Sequence, residues 1–219
     1  KAGLTDFVGG VTDGAYGAAA FDFKSTLDPL EAKKAWFMFD QEYVCLGTGI
    51  HATAAYPVVT TLNQCYLNSD VLMLNKKGAS AVERGNHTLK KVQGIVHDSV
   101  AYLFFSPTEV HLENEEARGS WFSINRQADS PKEEISRDVF TLWVDHGKKP
   151  KKATYEYMVV PNMDAAGVKA YRDRSPIQIL ANTPEMQAVQ HTSLQISQVA
   201  FYEAGDIQLT DDLTLTMST

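Results

Sequence analysis

KKAWFMFDQEYVCLGTGI, Lys33 to Ile50, is the stretch that decides the fold. Ala35 to Phe39 (AWFMF) is apolar at every position, as expected of a strand covered on both faces. Asp40-Gln41 then reads as a tight turn, and Glu42 to Leu46 (EYVCL) returns, so the pair forms a hairpin. VVTTLNQCYLN, Val58 to Asn68, follows as a threonine-rich return strand.

Outward from this hairpin, strand signals dominate. Ala15–Phe23 begins with small residues and ends in alternation, with Phe21 and Phe23 on one face. Further strands are expected at Val71–Leu74, Lys90–His97, Val100–Phe105, Val110–Glu113, Gly119–Ile124, Val139–His146, Thr154–Val160 and Ile177–Asn182. Gln187–His191, Gln195–Phe201 and Leu213–Met217 complete the set. Turn residues separate them at intervals of about 10–15 residues, which specifies an all-β antiparallel sandwich. Asp164–Arg172 is the one short helix expected, ahead of the Pro176 break, and Asp28–Ala32 is at most a single turn. Asn75–Asn86, Glu113–Arg118 and Gln127–Arg137 read as charged loops, and Lys148–Lys152 (KKPKK) as a basic loop between strands. A boundary is expected near Asn182-Thr183-Pro184, where one run of strands gives way to another.

Composition narrows the classes. A chain of 219 residues buries about 70% of the surface its unfolded form exposes, so disulfides are not needed for stability. A formal net charge of −7 argues against nucleic acid as a partner and requires a local basic patch for any polyanion. No apolar run approaches the ~18 residues of a membrane span. The chain begins at Lys1 with no visible signal peptide and reads as a processed product or an excised fragment.

Chemistry-bearing motifs are few. Cys45 and Cys65 both lie in apolar strand segments and read as buried thiols, with a cross-strand disulfide as the alternative in an oxidising compartment. Asp145-His146 and His97-Asp98 are adjacent strand residues, so each pair points to opposite faces and makes no acid–base dyad. Six histidines are scattered without ligand spacing. Trp36, Trp121 and Trp143 have apolar neighbours and are expected in the core; exposed, they would suit sugar stacking. KKPKK and Lys33-Lys34 read as solvated charges, with attraction of a sulfated glycan as the other option.

The same segments resemble the central β-domain of the family 8 polysaccharide lyases. GGVTDGAYG (Gly9–Gly17), the Lys33–Ile50 hairpin with its WFMFD core, TTLNQ (Thr60–Gln64), GSWFSIN (Gly119–Asn125), VFTLWVDHGKKPKKATYEYMVVP (Val139–Pro161) and ILANTPEMQAV (Ile179–Val189) occur in the family's order. The likeness extends along nearly the whole chain and is nearest to bacterial chondroitin lyases of the AC type. It implies a large β super-sandwich over residues 1–180. Residues 181–219 would be closing strands or the start of a C-terminal β-domain. The family's N-terminal α/α toroid has no counterpart in this sequence, which lacks long amphipathic helices.

The resemblance also sets the functional expectation. The family cleaves glycosaminoglycans or xanthan by β-elimination at a uronic acid, with Asn, His, Tyr and Arg supplied by the toroid. No catalytic residue is therefore assigned here, and the chain alone is expected to be inert. In the longer enzyme it would wall the cleft for a glycosaminoglycan and dock the toroid and the C-terminal β-domain, in a secreted or periplasmic bacterial protein. Some chondroitin lyases that this chain resembles hold a calcium near the first strand. The matching positions are Asp13, Asp22 and the carbonyl of Phe23, with Val11 standing where a third acidic ligand would be. The residues alone also admit a stand-alone carbohydrate-binding or structural β-sandwich. The parent reading frame, with or without an upstream helical toroid, separates the two.

Overall fold

The structure is a computed structural model, and residues 4–218 are described. Its strands run β1 (Val8–Thr12), β2 (Gly17–Lys24), β3 (Leu30–Met38), β4 (Tyr43–Ala52), β5 (Pro57–Tyr66), β6 (Val71–Asn75), β7 (Gly78–Val82), β8 (Asn86–His97) and β9 (Val100–Gly119). A one-turn helix α1 (Trp121–Ile124) precedes β10 (Ile135–Lys148) and β11 (Ala153–Pro161). Helix α2 (Ala165–Asp173) leads to β12 (Ile177–Asn182), β13 (Met186–His191), β14 (Ile196–Phe201), β15 (Gly205–Thr210) and β16 (Leu213–Met217). All pairings are antiparallel.

The deciding hairpin forms as read. Phe39 N–H donates to the Glu42 carbonyl across the turn, and Trp36 faces Cys45 in the ladder. β3 and β4 lie inside a sheet ordered β1-β2-β3-β4-β11-β9-β8-β6-β7. β5 departs from a simple return: it leaves this run and pairs with β10.

β9 makes the second layer possible. Its first half pairs with β11 as far as Phe104, and its second half pairs with β10 from His111 onward. Pro107, which has no N–H to give a ladder, sits between the two pairings. β8 bends with it, through register shifts on both sides of Val92 and a positive φ of 55° at Lys91. The sheet therefore folds over itself, with β5, β10 and the second half of β9 stacked on β4, β11 and the first half.

Alternation then fills two cores. Cys45, Tyr102, Phe104 and Tyr157 meet Phe140, Leu142, Val110 and Leu112 between the layers. Their neighbours Val44, Leu46, Leu103 and Met158 face the other way, against Val168 of α2, Ile177 of β12 and Val189 of β13. The central strands are covered on both sides, which accounts for the apolar runs Ala35–Phe37 and Val44–Leu46, while Met38 and Tyr43 at the turn end are exposed.

Three expectations are corrected by local geometry. Gly119–Ile124 is not a strand. Ser120 caps α1 by accepting from Ser123 N–H, and Ser123 returns the contact in a capping box. Glu113–Arg118 is no loop, because it continues β9 against β10. Asn75–Asn86 contains β7, entered through Asn75 Oδ1 accepting from Lys77 N–H and a positive-φ Gly78. Helix α2 matches its expected span and is capped by Asp164.

Gly47 faces Tyr155 across β4 and β11, and a Cβ there would lie 2.0 Å from the tyrosine ring. Gly47→Ala should therefore cost about 1–3 kcal/mol by displacing the ring, measured as a lower denaturant midpoint at unchanged slope.

Candidate functional site

The fold separates the residues expected to hold calcium. Asp13 sits in the β1–β2 turn, where its Oδ1 accepts from the N–H groups of Ala15 and Tyr16 at 2.9 and 2.8 Å. Those donors, Tyr16 first, hold its carboxyl below the usual range. Asp22 lies at the other end of the hairpin, its N–H bonded to the Phe7 carbonyl. Six strand positions, about 20 Å, part the two carboxylates. Lys33 Nζ, not a second carboxylate, meets Asp22 Oδ2 at 3.3 Å. Phe23 adjoins Asp22, opposite Ala32. Val11 is exposed on β1. This donor set does not converge, and no group of three or more His, Cys, Asp or Glu side chains suited to a metal occurs among the described residues.

The other motifs resolve by parity and burial. Asp145 Oδ1 accepts from Gly147 N–H while His146 Nε2 contacts Thr60 Oγ1 at 2.8 Å, so the adjacent pair does diverge. His97 is buried and stacks on Phe140, and Asp98 accepts from Asn68 in the next turn. Both cysteines are free, and burial pushes the Cys45 thiol up to about 11. The lysines of KKPKK are exposed around a buried Pro150, whose carbonyl accepts from Ala52 N–H.

The tryptophans correct the core expectation. Trp36 is partly buried against the inter-layer core. Trp143 is half-buried on the outer face, stacked on His111 at 5.4 Å, because Leu142 beside it takes the inward position. Trp121 is 58% exposed. The apolar neighbours that suggested burial are its strand-like flanks, and the capping box that turns it outward was legible only as Ser120-x-x-Ser123.

A polar junction that no motif announced ties β12–β14 to the large sheet. Asn182 Nδ2 donates toward Glu156 Oε1 at 3.1 Å, with the Gly47 and Tyr155 carbonyls at 3.3 and 3.4 Å. Its Oδ1 accepts from Gln187 Nε2, and Tyr202 Oη bridges Gln187 Oε1 and the Lys34 carbonyl. Nearby, His191 Nδ1 accepts from Leu194 N–H, which leaves Nε2 to carry the proton facing buried Glu42 at 3.3 Å. Tyr171 of α2 lies beside Glu42, and its phenol is raised by burial first and the carboxylate second.

This two-layered, doubly covered sheet defines a super-sandwich domain of the kind found in polysaccharide lyases. The chain belongs to polysaccharide lyase family 8. The model of that family's super-sandwich domain matches residues 1–172, and the model of its C-terminal beta-sandwich domain matches residues 178–219. Chondroitinase-AC of Pedobacter heparinus is 42% identical over 94% of this chain and 29% of that protein. A xanthan lyase of Bacillus sp. is 32% identical over 86% of the chain and 21% of its own length. A solved structure of chondroitinase AC lyase superposes with a TM-score of 0.84 at 40% identity, covering 92% of this chain and 29% of that one. The chain thus spans less than a third of the length of these relatives.

Two outcomes test this geometry. His191→Leu removes one of the two side chains facing buried Glu42, Tyr171 being the other, and should cost about 1–3 kcal/mol, whereas Glu42→Leu combined with His191→Leu should recover part of that loss in a double-mutant cycle. A thermal melt of the chain should give the same midpoint in calcium and in chelator, since binding that stabilises the fold needs converging oxygens.

Proposed function

We propose that this chain is the central super-sandwich, with the first strands of the C-terminal β-sandwich, of a secreted or periplasmic bacterial lyase. Its substrate is a uronic-acid glycosaminoglycan cleaved by β-elimination. The observation that carries the reading is the consecutive match to both family 8 domain models, together with 42% identity to a chondroitinase.

Elimination neutralises the uronate carboxylate, removes the C5 proton and protonates the departing 4-linked oxygen. The resemblance to family 8 assigns these steps to Asn, His, Tyr and Arg side chains of the toroid. The buried tyrosines of this chain have the wrong bias for a base: burial pushes Tyr102 up to about 12 and raises Tyr155 and Tyr157 as well. His97 is buried against Phe140 and His146 is half-buried against Thr60, and desolvation lowers the pKa of both. The role that remains is scaffolding: a rigid wall for a polymer cleft whose acid and base come from elsewhere in the longer protein.

The purified chain should release no unsaturated uronide from chondroitin or hyaluronan, followed by the ultraviolet absorbance of the new conjugated double bond. The longer protein that contains it should do so. Turnover by the chain alone, lost on substitution of one of its own residues, would overturn the scaffolding role; no turnover by the longer protein on any uronic-acid polymer would overturn the lyase reading.

A further inference from the structure

The end of the β9–β10 hairpin has two unlike faces. On one, Arg118 pairs with Glu116 at 2.5 Å and reaches Glu134, while Asp138 pairs with Arg84 at 2.8 Å. These residues neutralise one another. On the opposite, outer face, Ile135 and Arg137 stand two apart on β10 opposite the small residues Gly119 and Ala117. With Trp121 and Ile124 of α1 they line a shallow apolar depression open to solvent, which Ser120 and the carboxylate-paired Arg118 also border. Arg137 donates to the Ser136 carbonyl and makes no ion pair among the described residues.

We propose that this depression is a glycan-binding site. A pyranose ring lies on the Trp121 indole, and the carboxylate of the adjoining uronate meets the Arg137 guanidinium. The choice of polymer rests on the lyase reading above; the site itself rests on the side chains.

An exposed indole offers a flat apolar face to the C–H side of a sugar ring while its edge stays wet. A guanidinium without a carboxylate partner presents a planar fork that matches a carboxylate in two places. The platform is also pre-set. The Ser120/Ser123 box fixes the turn, Phe122 N–H bonds to the Pro131 carbonyl at 2.9 Å, and Lys132 Nζ covers the Phe122 ring. Little ordering is left to do on binding.

The face continues along the sheet. Val139, about 7 Å beyond Arg137, stands opposite Tyr66, which is 63% exposed. Glu115 shares that row, opposite Val139. Arg137 is thus flanked by an aromatic on either side, with an unpaired carboxylate, Glu115, at the Tyr66 end and Glu134, held by Arg118, at the Trp121 end. A polymer that alternates charged and neutral sugars fits this order: a uronate at Arg137 and a neutral N-acetylhexosamine beside Glu115.

The test titrates the 219-residue chain with hyaluronan oligosaccharides, and with the same oligosaccharides after carboxyl reduction, by calorimetry and tryptophan fluorescence at low salt. Trp121→Ala and Arg137→Ala should each weaken binding by ~10-fold or more, as anchors in a small interface do. Carboxyl reduction should weaken binding to the wild-type chain by a similar factor and have no further effect on Arg137→Ala. Arg84→Ala, which removes the same charge from the other face, should change affinity by less than ~2-fold. Both site variants are at exposed positions, and thermal melts matching the wild type establish that they fold. No binding by the wild-type chain, equal binding by Trp121→Ala, or equal binding of the reduced sugar would each overturn the site. If the longer protein still turns over hyaluronan in that event, the lyase reading stands without it.

Discussion

Coverage of the central strands on both faces is the constraint from which the rest of this structure follows. β4, β11 and the first half of β9 carry apolar side chains in alternation on each side, so neither face can be left to water. One face is covered by folding the sheet over itself, and that requires β8 and β9 to bend together. The shifts around Val92, the left-handed backbone at Lys91 and the gap in pairing at Pro107 lie where the bend falls. Phe140 and Leu142 are then delivered onto Tyr102, Phe104 and Tyr157. The other face is covered by α2 and the three-stranded sheet, which belong to the last quarter of the chain.

That second interface is not purely apolar, and its polar part explains how the two β units keep one orientation. An apolar contact alone tolerates sliding. Asn182, Gln187 and Tyr202 instead require matched donors and acceptors on β4, β11 and the Lys34 carbonyl. His191 and Glu42 add a buried pair whose tautomer is set by Leu194 N–H. Each group is costly if misplaced, so the register between the sheets is tied to their satisfaction. The family models change at the same junction, with one ending at residue 172 and the next beginning at 178.

Function divides along similar lines. The doubly covered sheet holds its buried phenols, His97, His191 and Glu42 in packed positions. Burial raises the Tyr155 and Tyr157 phenols and lowers His97 and His146, so all four stay neutral in their packed positions at neutral pH. The side chains left free for recognition lie where the layers run out, at the exposed end of β9 and β10. There lie an exposed indole and a guanidinium that makes no ion pair among the described residues.

Periodicity alone was enough to specify an all-β antiparallel fold, because apolar runs such as AWF in β3 and VCL in β4 carry their two-sided burial in their composition. The helix at Asp164 was legible for a similar reason: its cap and its apolar spacing are local. The order of GGVTDGAYG, the tryptophan hairpin, TTLNQ and GSWFSIN carried the family. Partners distant in the chain were not legible. That β5 joins β10 rather than the hairpin before it depends on the bend in β9, which has no local signature beyond one proline. Trp121 and Trp143 have apolar neighbours like those of core tryptophans; their outward direction follows from a four-residue capping box and from the parity that sends Leu142 inward. Asp13 and Asp22 look close in sequence, yet a hairpin turn between them sends the intervening strand, and with it the second carboxylate, about 20 Å away. Local chemistry is written in neighbouring residues, whereas convergence of groups on a point depends on register, which only the assembled sheets fix.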